Sequence, residues 1–139
     1  MADTDQKFSA SFAANATYTP GLRDFLEYRD LGIFEATNGE FKAHVLRVKK
    51  DFEGDQDMKT TGYHRHMVTF QMFYVLNGSI TFDYEGIGVK TYQKGDCVLA
   101  PAKIRHNELK CSDNFEALEI LAPGSHKTIQ DDGNNVSGQ

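Results

Sequence analysis

From position 70 onward, short apolar-rich runs alternate with turn residues at intervals of about eight to twelve residues, the spacing of an all-β chain. Strands are predicted over 70–76, 79–84, 89–92, 96–100, 106–110 and 115–121. Turns or breaks separate them at Asn77-Gly78, 85–88, Gln93-Lys94-Gly95, 101–105 and Ser112-Asp113-Asn114. Asn77-Gly78 predicts a β-hairpin, because both residue types tolerate positive φ. Upstream, 40–52 is rich in β-formers (Phe41, Val45, Leu46, Val48, Phe52) and reads as a further strand. Both its faces carry apolar residues, so parity does not say which way His44 and Arg47 point. The polar stretch 53–61 reads as a loop, and Asn38-Gly39 as a tight turn. Thr19 and Pro20 have the chemistry of a helix cap and first helical residue, predicting a helical turn through Leu22, Phe25 and Leu26. The Gly, Asn, Asp and Ser content of 124–139 predicts a disordered tail. The pattern implies a β-sandwich or barrel. It contains no strand–helix alternation, no Gly-rich phosphate loop and no G-x-S-x-G nucleophile turn.

Composition narrows this without redirecting it. The 139 residues suit one domain that buries a core without staples. A formal net charge of -5 and a pI near 5.5 argue against a broad nucleic-acid or anionic-membrane surface. Two cysteines, Cys97 and Cys111, with no C-x-x-C, read as reduced and mostly buried, not as a disulfide framework or a zinc–thiolate site. The first fifteen residues have no apolar signal-like core and no run reaches membrane-spanning length, so a cytoplasmic protein is expected.

The candidate chemistry lies in Gly62-Tyr63-His64-Arg65-His66. Residues i and i+2 of a strand share a face, so His64 and His66 are neighbours that can chelate one ion. Arg65 faces the other way. Gln71 is five residues on, at the wrong parity for an unbroken strand, and joins the histidines only if the chain bends between His66 and Phe70. His106 follows Gly95 and Pro101.

These residues resemble the two motifs of the cupin superfamily, a double-stranded β-helix. The first, G-x5-H-x-H-x3,4-E-x6-G, is matched by His64, His66, Gln71 and Gly78. The second, G-x5-P-x-G-x2-H-x3-N, is matched by Gly95, Pro101 and His106. The departures are a first Gly nearer to His64, Gln71 for Glu, Lys103 for Gly and Lys110 for Asn. The resemblance implies a jelly-roll-like barrel over 30–123, an N-terminal arm over 1–29 and a flexible tail over 124–139. It implies metal ligation by His64, His66, Gln71 and His106 of a divalent transition metal, Fe, Ni, Zn or Mn. With Gln71 the ligand set is neutral, as in some cupins, and replacing Gln71 by Glu is expected to keep or tighten metal. Around the metal, Tyr63, Phe73, Val75 and Leu99 are candidates for the pocket wall, and Arg47 for contact with an anion. The implied function is a metal-dependent, dioxygenase-like oxidoreductase acting on a small organic molecule. The alternative is a non-catalytic metal- or ligand-binding cupin serving as sensor or regulatory module. Sugar-nucleotide epimerase chemistry ranks last, since it does not need three convergent histidines. A homodimer is expected on the same resemblance, with Phe8, Phe12 and Tyr18 in the arm.

Overall fold

The computed structural model describes residues 5–21, 25–50, 62–130 and 135–137. The expected loop over 53–61, and Leu22 and Phe52, lie outside the described residues.

Two six-stranded antiparallel sheets face each other. The first contains β1 (Thr19–Pro20), β2 (Leu26–Asp30), β3 (Lys42–Val48), β10 (Glu116–Ala122), β5 (Phe70–Asn77) and β8 (Cys97–Leu99), in that order. The second contains β12 (Asn135–Ser137), β11 (Lys127–Gln130), β4 (His64–His66), β9 (His106–Cys111), β6 (Ser79–Tyr84) and β7 (Gly88–Gln93). A single helical turn, α1 (Ile33–Ala36), sits between β2 and β3. The all-β prediction holds, and the strands from 70 to 121 fall where the periodicity put them.

The connections differ from the prediction. β5 and β6 flank Asn77-Gly78 but lie in different sheets, so this turn is a corner between sheets and not a hairpin. A turn signal specifies a chain reversal, and the long-range partners of each strand decide whether the reversed strands pair. Gly78 is demanded twice over: its φ is 68°, and a Cβ there would lie 2.3 Å from Ser112 Oγ and 2.9 Å from Phe115 Cα. Among the other predicted turns, that between β6 and β7 closes a true hairpin, with Tyr84 opposite Gly88.

Two further expectations are overturned. Thr19, Pro20 and Leu26 belong to paired strands, with Thr19 opposite Tyr28 and Leu26 opposite Val48. A short Pro-initiated turn has no stability alone, and burial of Leu26 and Tyr28 against β3 outweighs it. The stretch expected to be disordered contains β11, which pairs with β4 and buries Thr128 completely. Its polar composition hid a strand whose partners lie about 60 residues earlier in the chain.

The core fills one end of the interior. Phe73, Val75, Ile80, Phe82 and Phe115 pack with Leu46 and Val48, and the Phe73 and Phe82 rings lie 5.4 Å apart. Cys111 is buried, as expected for a small apolar residue, whereas Cys97 on edge strand β8 is exposed.

Candidate metal centre

At the other end of the interior the inward positions turn polar. His64 and His66 leave the same face of β4, and His106 on β9 is the direct cross-strand partner of His64. All three are buried, and the centroid of the His64 ring lies 5.0 Å from that of His66 and 4.4 Å from that of His106. One ring nitrogen from each falls within 4.8 Å of the others, close enough to hold a single ion.

Their outer nitrogens are tied down. His64 Nδ1 donates to Gly62 O (2.9 Å) and His106 Nδ1 to Ile104 O (3.0 Å). A carbonyl only accepts, so both rings carry a proton on Nδ1 and turn Nε2 toward the cluster. His66 Nδ1 is 2.8 Å from Thr128 Oγ1 on β11. Burial, then the neighbouring His106 and His64, lower the His66 pKa from 6.5 to about 3, so this ring is neutral at ordinary pH. Anchored, convergent imidazoles have the donor chemistry of a transition-metal site.

Gln71 arrives from the opposite sheet. The bend between His66 and Phe70 is a crossing from β4 to β5, stabilised by Met67 N–H to Lys127 O (2.9 Å), Thr69 N–H to Ala122 O (2.7 Å) and a buried Val68. The parity conflict disappears because the two segments are not one strand. Tertiary bonds to β10 and β11 make the turn, which is why Met67-Val68-Thr69 does not advertise it.

Two carboxylates complete the polar end, and sequence reasoning missed both. Glu119 on β10 accepts from Gln71 Nε2 (3.0 Å) at one oxygen, and its other lies 2.7 Å from His44 Nε2. Burial pushes the Glu119 pKa up, but the hydrogen bond and charge interaction with His44 and the Gln71 bond outweigh it and bring it to about 2. With its nitrogen held by Glu119, the Gln71 amide keeps Oε1 as its electron-pair donor. Glu108 Oε1 lies 3.5 Å from His64 Nε2, within ion-pair reach of a protonated ring. Both acids had a usable signal. Glu108 is two residues from His106 on one strand, and Glu119 shares parity with buried Ala117 and Leu121.

The space beside these groups is small, about 70 Å³, lined by His66, Gln71, Phe73, His106, Glu108 and Glu119 among others. Of the expected wall residues only Phe73 is there. Val75 is fully buried in the core, and Leu99 is 62 % exposed. Tyr63 is bonded to Asp83 and covered by Arg105 (4.2 Å from its ring centroid). Arg47 is engaged by Glu27 (2.7 Å) and lies over the Tyr18 ring. The exposed Arg65 points away, as expected.

The sequence profile of the Cupin domain matches residues 55–122. No curated protein sequence matches the chain. Among solved structures, an RmlC-like cupin from Shewanella frigidimarina superposes with a TM-score of 0.60 at 20% identity, over 86% of this chain and 94% of that one. KdgF from Halomonas sp. gives 0.63 at 16% identity, over 83% and 94%. The FeII HppE structure gives 0.63 at 11% identity, over 86% of this chain and 63% of that one. At such identities the superpositions speak for the fold alone. The profile match, with the fold that the superpositions share, shows that this chain carries a cupin domain.

Proposed function

We propose that His64, His66, Gln71 and His106 hold one divalent transition metal, and that the protein is a metal-dependent oxidoreductase of dioxygenase-like type acting on a small organic molecule. The observation that carries the metal is the set of three buried imidazoles with anchored Nδ1 atoms and convergent partners. The FeII HppE superposition is compatible with iron, and the donor set admits Ni, Zn and Mn as well. Bound there, a metal supplies Lewis acidity and coordination positions not filled by protein. The chain's own residues do the rest. Gly62, Ile104 and Thr128 orient the rings. Glu119 orients the Gln71 amide and places negative charge one layer behind a neutral ligand set. Phe73 and Phe82 keep bulk water from the inner wall. Burial also raises the Tyr84 phenol pKa, so a protonated hydroxyl borders the same space.

Metal analysis of protein purified without added metal tests the first half. No bound metal, together with no uptake of Fe, Ni, Mn or Zn, would sink it. Oxygen consumption over a panel of catechols, diketones and thiols tests the second half. A metal-loaded protein inert to the whole panel is instead the non-catalytic binding cupin. We further propose a homodimer, supported by Phe8 and Phe12, which are 96 % and 68 % exposed in an arm hydrogen-bonded to α1 through Lys7 N–H and Ala36 O. Sedimentation that returns only monomer would refute it.

A further inference from the structure

The space beside the histidines is too small for an organic substrate. About 70 Å³ accommodates an ion and a few waters or a diatomic molecule, whereas organic ligands occupy sites of about 300 to 1,000 Å³. A second pocket, about 700 Å³, opens where β1, β2 and β3 of one sheet approach the start of β11 in the other. Its walls include Pro20, Tyr28 and Phe34, with Lys42, Lys127 and Asp30 also lining it. The two spaces share Tyr28, and the hydrogen-bonded His44–Glu119 pair divides them, His44 lining the outer one and Glu119 the inner. His126, also in the outer wall, sets its ring edge-on to His66 at 5.6 Å between centroids. The outer pocket therefore ends one side chain short of the histidine cluster.

Its charge is lopsided. Among the described residues, neither Lys42 nor Lys127 has a carboxylate within ion-pair distance. Two lysines and one carboxylate residue, Asp30, line it together with the aromatic Tyr28 and Phe34. A ligand with an apolar or aromatic body and one carboxylate satisfies both features: the body against Tyr28 and Phe34, the anion between the lysines, and any hydroxyl or amine toward Asp30.

We propose that this outer pocket is the binding site of a small aromatic or apolar carboxylate. As the substrate site of the metal centre it rests on the function proposed above; as an anion site it stands independently. The test is calorimetric titration of metal-free and metal-loaded protein with benzoate, and with benzyl alcohol as its uncharged counterpart. Benzoate is expected to bind at least tenfold more tightly than the alcohol. Lys42→Met and Lys127→Met should each weaken benzoate about fivefold, the size of one partly exposed charge contact, with metal content unchanged. Lys42→Arg should keep the affinity. Equal affinity for acid and alcohol, or undiminished benzoate binding in the Lys42→Met/Lys127→Met double variant, overturns the pocket proposal. Failure of metal uptake with benzoate still bound overturns the metal proposal and leaves the pocket standing.

Discussion

The two ends of the barrel interior are made by the same strands, at the same inward parity, with opposite chemistry. On β3, His44 gives way to Leu46 and Val48; on β5, Gln71 gives way to Phe73 and Val75. On β9, His106 and Glu108 are followed by Cys111 after a bulge that restores it to the inward side, and on β10 Glu119 stands two residues from Ala117. One end is a dry core whose stability grows with apolar area removed from water. The other buries five polar side chains (His44, His64, His66, Gln71, His106) beside the half-buried Glu119, and each costs free energy unless its partners are supplied. The polar end is tolerable because Gly62, Ile104, Thr128 and the His44–Glu119–Gln71 chain supply those partners. The apolar end carries the fold and the polar end spends part of that stability on a site.

The sharpest way to break this division is to mutate each end. Phe115→Ala should cost about 3 to 5 kcal/mol in denaturant unfolding, with folded protein keeping its metal stoichiometry. His66→Ala should abolish metal uptake with a smaller loss of apo-protein stability. If the two variants behaved alike, the division would be wrong.

Glu119 gives the next largest effect, and it bears on the Gln71→Glu variant. A carboxylate at 71 would face the Glu119 carboxylate at the present 3.0 Å contact. The single variant should bind metal about tenfold more weakly than the Gln71→Glu/Glu119→Gln double variant, a like-charge penalty of roughly 1.4 kcal/mol read by competition titration. Equal affinities would remove Glu119 from the account.

Acidification should weaken the polar end alone. The folded His66 pKa lies below its unfolded value, so the unfolded chain binds more protons between pH 6.5 and about 3. Glu119 adds a loss of the same sign, since its folded pKa of about 2 lies below 4.5 and its contribution fades as pH falls between those values. Metal-free protein should therefore lose on the order of 3 kcal/mol by pH 4 through His66. His66→Gln should flatten the upper part of that profile, as chemical denaturation across pH would show.

The smallest effect concerns Lys103, which stands where the second cupin motif has Gly and adopts φ 63°. Left-handed backbone at a residue with a Cβ costs about 1 kcal/mol. Glycine there also loses more entropy on folding, so Lys103→Gly should gain a few tenths of a kcal/mol in unfolding free energy, leaving metal affinity unchanged.

Much of this protein was legible in the chain. Period-two alternation and regular turns specified the strands from 70 to 121, because side-chain parity and turn chemistry are local properties. The histidine pair was legible for the same reason, and the matched motif spacings brought in Gln71 and His106. Pairing was not legible. Asn77-Gly78 signals a reversal equally well at a hairpin and at a corner, and the tail's strand exists only because β4 offers it an edge. The acids were half legible: parity marks Glu108 and Glu119 as inward-facing, but only the facing sheets bring Glu119 to Gln71 and Glu108 to His64. The chain alone determined which residues could bind a metal. The tertiary structure decided what surrounds them, because the partners of a buried polar group are set by strands distant in sequence that meet only when the sheets close.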